Sequence, residues 1–151
     1  MSAVDLNEVM EKVKTDLELI ISDKEAAITY NNLPAVTGIP SQINRLFYNL
    51  INNALKFSNP GISPAIHVSA VCHSSSVEIV VKDNGIGFEP KYADKIFGLF
   101  QRLNDRYSYN GNGIGLALCK KIVENHNGNI HAESTPGEGA RFYIDLPVKA
   151  L

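Results

Sequence analysis

Asn49 and Asn53 stand four residues apart in a stretch of helical periodicity, so their amides project from one face, one turn above the other. Asn52 is spaced to pair with Asn49 in the same way. A side-chain carbonyl is a hard oxygen donor of the kind Mg²⁺ takes beside phosphates and waters, and Lys56 adds a point charge suited to a phosphate. A plain solvated helix face reads equally well from the segment alone. Asp83 closes an apolar run and leads into Asn84-Gly85-Ile86-Gly87. A carboxylate only accepts hydrogen bonds, so it would pair with the exocyclic amine of adenine and repel the carbonyl of guanine. Its bland counterpart is an Asp-Asn-Gly turn ending a strand. Gly111-Asn112-Gly113-Ile114-Gly115 precedes another helical pattern, which would aim free N–H groups and the positive end of a helix dipole at a phosphate. It is neither a dinucleotide fingerprint, which needs glycine where Leu116 stands, nor a Walker loop, which needs Gly-Lys-Ser/Thr.

The elements that must carry these groups are legible as periods. Leu6, Val9, Met10, Val13, Leu17 and Ile20 predict an amphipathic helix from Asp5 to about Ser22, with Asp5 as N-cap and Glu8 completing a capping box. Ala27–Tyr30 is strand-like, and Ala35 to Gly38 is a second short strand. Ser41 begins a helix behind Pro40, with Ile43, Leu46, Phe47, Leu50, Ile51, Ala54 and Leu55 on its apolar face, and Asn59-Pro60-Gly61 ends it. Ala65 to Cys72 and Val77 to Lys82 alternate as strands joined by a hairpin at His73–Ser76. A glycine-rich and irregular stretch follows to about Asn112, apart from a short helix near Tyr92 to Leu99. A third helix runs from about Gly113 to His126, stopped by Asn127-Gly128. Asn129 to Ser134 and Ala140 to Leu146 close the sheet, with Gly137 and Gly139 in their turn. The order implies an α+β fold: a two-layer α/β sandwich with a mixed, mostly antiparallel sheet of about five strands covered by three helices.

The chain has 151 residues, 44% hydrophobic and 20% charged, the balance of one globular domain over 1–151. Net charge is −2 and the pI about 6.1, with basic residues scattered, which argues against nucleic acid as a partner. Cys72 and Cys119 do not make a disulfide framework and suit a reducing compartment. No apolar run approaches the length of a membrane span, so the expected location is cytoplasmic, without membrane contact from this chain, whatever anchors a longer parent. His67, His73, His126 and His131 read as strand, turn or helix-end residues.

Taken in order, Asn49–Phe57, Asp83–Gly87, Gly111–Leu116 and Thr135–Gly139 resemble the N, G1, G2 and G3 boxes of the catalytic ATP-binding domain of two-component sensor histidine kinases, the Bergerat or GHKL fold. Ile96-Phe97-Gly98-Leu99-Phe100 is similar to that family's F box, and the match runs from Val4 to Val148. Phe100-Gln101-Arg102-Leu103 together with the segment from Gly113 to Lys121 most resembles kinases linked to phytochrome-like or PAS-type sensors.

The resemblance implies ATP and Mg²⁺ as cofactors. It makes Asn53 the Mg²⁺ ligand with Asn49 beside it, and brings Lys56 to the phosphates or ribose. It puts Asp83 on the adenine amine, has Gly85 and Gly87 shape the base pocket, and leaves Phe57 near the base. Gly113 and Gly115 would offer backbone to the phosphates. The segment from Phe97 to Gly111 would be a mobile lid carrying Arg102 and Arg106 toward the γ-phosphate, with Tyr107 and Tyr109 as lid residues. Ile86, Phe100, Ile114, Leu116 and Thr135 fall in the same boxes.

Related ATPases place a glutamate base where Asn49 stands. An amide cannot take that proton, which favours phosphoryl transfer over hydrolysis. None of the four histidines has the family's phospho-acceptor setting, so the implied partners are the acceptor and dimerisation domain of the same kinase and then a response regulator, with this piece a monomer. A GHKL-type protein-serine kinase and an ATP-binding module without transfer are the alternatives.

Overall fold

The first apolar stripe makes a helix because Asp5, in extended conformation, accepts the N–H of Asn7 at 2.9 Å and so satisfies an otherwise orphaned donor. The cap forms as expected, with Asn7 as its partner where Glu8 was expected to reciprocate. The computed structural model describes residues 1–98 and 115–148. Ser2–Asp5 (β1) leads into Leu6–Asp16 (α1), which buries Leu6, Val9, Met10 and Val13. The single helix expected to Ser22 is divided at Leu17, whose backbone leaves helical values, and restarts as Glu18–Lys24 (α2). Leu17 stays in the core at 3% exposed while the next turn carries Leu19 into solvent. Four helices therefore stand among the described residues where three were expected.

Ala27–Tyr30 (β2) and Ala35–Gly38 (β3) follow. β3 pairs antiparallel with β1 in a separate two-stranded ribbon, Ser2 opposite Gly38 and Asp5 opposite Ala35. Pro40–Lys56 (α3) starts with Pro40 inside its first turn, where a missing N–H costs nothing. All seven apolar residues predicted for its inner face are buried. Its last turn is closed by Lys24 of α2, whose ammonium reaches the carbonyl of Leu55 and, at 3.1 Å, the hydroxyl of Ser58.

Ala65–Cys72 (β4), Ser76–Asp83 (β5), Asn129–Thr135 (β6) and Gly139–Pro147 (β7) complete a five-stranded sheet ordered β2-β4-β5-β7-β6. The β2–β4 pair is parallel and the rest antiparallel, so the sheet is mixed and mostly antiparallel as expected. Ile66 and Val68, then Val77, Ile79 and Val81, then Phe142, Ile144 and Leu146 turn one face toward the helices. The other face is polar, with Arg141 paired to Glu133 across β6 and β7 at 3.3 Å.

Two single 3₁₀ turns, Pro90–Tyr92 and Lys95–Phe97, take the place of the short helix expected near Tyr92. Gly115–Asn125 (α4) packs on α3 through Cys119, Ile122 and Val123. Its start at Gly113 and the end of the short helix at Leu99 lie outside the described residues. It stops as expected, with Asn127 left-handed at φ 58° and Gly128 donating to Val123 at 2.9 Å.

Candidate functional site

Asp83 is the last residue of β5 and, at 9% exposed, one of two buried polar side chains among the described residues. Its Oδ1 accepts the N–H of Gly85 at 2.9 Å and of Ala140 at 3.2 Å. Burial pushes this carboxyl above its ordinary value, and the two N–H donors work against that rise. Both bonds found among the described residues land on Oδ1, so the other oxygen is the acceptor available to an incoming donor.

The glycines around it are required by neighbouring backbone. A Cβ on Gly85 would sit 2.4 Å from the carbonyl oxygen of Phe57, and one on Gly139, at φ 97°, would sit 2.0 Å from the carbonyl oxygen of Asp83. The segment after β5 lies directly under the end of α3, with Ile86 donating to the Phe57 carbonyl at 2.9 Å. Gly137 of the β6–β7 turn donates in turn to Ile86 at 2.7 Å. Three segments far apart in sequence are thus joined at one place.

The residues joining them are ones the sequence reading did not single out for the site. The Asn59 amide donates to the carbonyls of Gly85 at 2.8 Å, Asn84 at 3.1 Å and Gly137 at 3.3 Å. Asn84 ties the loop to the start of β4, accepting from Ala65 at 2.8 Å and donating to Ser63 at 3.2 Å. The Ser134 hydroxyl accepts from Phe88 at 2.8 Å and donates to Gly139 at 2.6 Å. The sequence signal for each was only a polar residue in a turn.

On α3, Asn53 is half-buried and its backbone carbonyl receives the N–H of Phe57 at 3.1 Å. Four residues of helix, about 6 Å of axis, separate it from the carbonyl that carries the Asp83 loop. Lys56 is exposed and Phe57 half-buried at the same end. Asn49, half-buried one turn before Asn53, lies near the Cys119 thiol of α4 and favours its ionised form. That thiol is buried, donates toward the Leu46 carbonyl at 3.7 Å, and is pushed up to about 12, mainly by burial with the nearby Asn49 side chain opposing. Asn53 has no side-chain hydrogen bond among the described residues.

Gly115 is the first described residue of α4, with nothing within 4 Å of a Cβ built there among the described residues, and Leu116 is half-buried against the core. Ile86 and Gly87 form the bend between Phe57 and Thr135, and the carbonyl of Thr135 lies 2.5 Å from where a Gly87 Cβ would be. Phe97 is 7% exposed and meets Phe142 edge-on at 6.1 Å and 84°. Expected at the start of the lid segment, it lies at the edge of the described residues with its ring packed in the core. Phe100, Arg102, Arg106, Gly111, Gly113 and Ile114 lie outside the described residues, as do Tyr107 and Tyr109.

The histidines occupy the structural positions expected of them. His67 is in β4 with Nδ1 2.7 Å from the Thr29 hydroxyl, His73 is in the hairpin turn, and His131 of β6 stacks on Tyr143 at 4.7 Å. His126 is buried at the end of α4, donating from Nδ1 to Ile122 at 2.8 Å and accepting from Ile39 through Nε2 at 3.0 Å. Among the described residues no three of His, Cys, Asp and Glu gather around a point. No helix there is long and apolar enough to cross a membrane.

Residues 38–150 match the family described as histidine kinase-, DNA gyrase B-, and HSP90-like ATPase. The chain is 43% identical to cyanobacterial phytochrome A of Nostoc sp. over 95% of its own length and 19% of that protein's. It is 40% identical to the phytochrome-like protein Cph1 of Synechocystis sp. over 98% of its length and 20% of that protein's. It thus spans about a fifth of the curated relatives it matches. The solved mycobacterial sensor histidine kinase MprB superposes with a TM-score of 0.78 at 27% identity, covering 99% of each chain.

Proposed function

Because the chain belongs to the histidine kinase-, DNA gyrase B- and HSP90-like ATPase family, we propose that it is the catalytic domain of a sensor histidine kinase. On this reading it binds ATP with Mg²⁺ and holds the γ-phosphoryl for attack by a histidine on a separate dimerisation domain. A response regulator would be the next acceptor. The observation that carries the reading is the Asp83 carboxylate, buried and held on one oxygen by Gly85 and Ala140 N–H groups beside the end of the helix that bears Asn53.

Asp83 recognises the adenine amine through its remaining acceptor. The half-buried Asn53 amide is a donor set that fits Mg²⁺, which takes one or two protein oxygens and keeps waters and phosphate oxygens, and needs no cage of carboxylates. When bound, the ion neutralises charge on the phosphates. Lys56, exposed at the same end of α3, adds a cation for phosphate or ribose. Gly115 at the described start of α4, uncrowded among the described residues, would let phosphate oxygens approach N–H groups at a helix N-terminus.

Asn49 occupies the place of a hydrolytic base, and an amide takes no proton at neutral pH. No group there takes a proton from water, so the γ-phosphoryl is kept for transfer. The four histidines are committed to the fold or lie on a hairpin turn, so the acceptor comes from elsewhere. Resemblance to phytochromes over nearly the whole chain supports a light-sensing or related modular parent.

The test is transfer of labelled phosphate from ATP·Mg²⁺ to a purified acceptor hairpin. Label on its histidine that disappears in Asn53→Ala, with the fold unchanged by circular dichroism, is the expected result. Tight ATP binding without transfer would leave a nucleotide-binding module, and no binding by calorimetry at millimolar ATP and Mg²⁺ would remove the reading altogether.

A further inference from the structure

Asn59 lies two residues beyond the C-cap of α3, and its bonds go nowhere in that helix. The last turn of α3 is already satisfied, Leu55 by Lys24 and Phe57 by the N–H of Ile86. The Asn59 amide instead spans the carbonyls of Gly85, Asn84 and Gly137, at 2.8, 3.1 and 3.3 Å, which belong to the loop after β5 and to the β6–β7 turn. Those two segments supply both donors that orient Asp83: the N–H of Gly85 is in one, and that of Ala140 follows immediately after the other.

Further close contacts join the same segments. Gly85 already lies under the Phe57 carbonyl with no room for a Cβ, and Gly139 lies against the Asp83 carbonyl in the same way. Gly137 donates to Ile86 at 2.7 Å and closes the ring of contacts. An amide is suited to this position because its two N–H groups meet an array of acceptors from one planar head. We propose that Asn59 is a specificity-determining positioning residue: it sets the angle at which Asp83 presents its second oxygen, and with it the preference for a purine bearing an amine. The inference rests on the pocket being an adenine nucleotide site.

Without Asn59 the loop and the turn lose three hydrogen bonds, the Gly85 N–H is held less firmly on the carboxylate, and Asp83 gains orientations in which the amine is no longer met squarely. Contacts to phosphate and metal, carried by α3 and α4, do not pass through Asn59. Base discrimination therefore falls while triphosphate binding persists, whereas a role in folding alone weakens every nucleotide alike.

The experiment compares dissociation constants of the 151-residue chain for ATP·Mg²⁺ and for inosine triphosphate·Mg²⁺, which carries a carbonyl in place of the amine. Asn59→Ala is expected to weaken ATP about tenfold, the equivalent of one net hydrogen bond, and inosine triphosphate less than about twofold. Asn59→Asp, which keeps the shape but turns an acceptor toward three carbonyls, is expected to lose at least as much preference. Asn59→Ser, with one donor restored, recovers part of it and serves as the readout if the alanine variant does not fold. Equal weakening of both nucleotides, or an unchanged preference in folded variants, overturns the inference while leaving ATP binding in place. A wild-type chain that binds neither nucleotide overturns the pocket reading and this inference together.

Discussion

Replacing Asp83 by asparagine keeps the size of the side chain and removes one charge and one acceptor. In the folded protein Oδ1 is taken by Gly85 and Ala140 N–H groups. The asparagine carbonyl inherits those two bonds, which forces its NH₂ group into the place of the second oxygen. A donor then faces the donor of adenine. A charge-assisted bond is lost, at about 1.5–3 kcal/mol, and the desolvated NH₂ adds a further penalty, so the total is about 2–4 kcal/mol, or about 30-fold to several hundredfold in the dissociation constant.

Titration calorimetry of Asp83→Asn with ATP and Mg²⁺ measures this directly. Stability at pH 7 should hold or rise, because burial makes the ionised carboxylate costly in the wild type. The pH dependence follows from the direction of that shift. The folded carboxyl keeps its proton to higher pH than the unfolded one, whose ordinary value is 3.8. The folded state therefore binds more protons in between, and wild-type stability declines as pH rises through that window. Below 3.8 the contribution is fully present, and above the raised folded value it is gone. The asparagine variant has no such decline, so the stability difference should move in its favour as pH rises from about 3.8. A loss of affinity under about threefold, or a difference in stability independent of pH, would refute the reasoning.

Gly139→Ala places a Cβ 2.0 Å from the Asp83 carbonyl at φ 97°, and should cost about 3 kcal/mol or more, lowering the melting temperature by roughly 6–12 °C; a shift under 2 °C by calorimetric scan speaks against the close approach. His126→Ala leaves the Ile39 N–H unpaired and opens a cavity beside Gly38, so denaturant unfolding should show a loss of about 2–4 kcal/mol with nucleotide affinity unchanged. With Cys72 exposed and Cys119 buried and pushed up to about 12, a thiol reagent at pH 8 should titrate one cysteine in the native protein and both in denaturant, and prompt reaction of both in the native state contradicts the α3–α4 packing.

Periodicity and punctuation carried the elements because they are local. The stripe from Ile43 to Leu55 is a helix wherever it is placed, Asp5 caps whatever helix follows it, and Asn127-Gly128 stops one. The break at Leu17 had no such mark, since Leu17 and Ile20 continue the apolar spacing across it. β1 was missed because four residues pair only through β3, whose matching residues lie thirty or more positions along the sequence. The same distinction runs through the site. Asp83, Asn53 and the glycines were legible as residue types at a spacing that chemistry demands.

What the chain order could not state was which partner each one meets. Asn49 and Asn53 share a face by spacing, yet only the fold brings Cys119 of α4 near Asn49 and joins the Asp83 loop to the end of α3 beyond Asn53. Phe97 reads as a lid residue and is set in the core by Phe142. Asn59 reads as a helix stop and holds three carbonyls from distant segments. Sequence alone determined most of the helical and extended runs and which residue types were at hand for the proposed site, because backbone propensity and side-chain chemistry act over a few residues. Tertiary structure alone decided which of those groups are fixed, buried or turned away, because hydrogen bonds and steric exclusion between segments exist only once the sheet and helices have met.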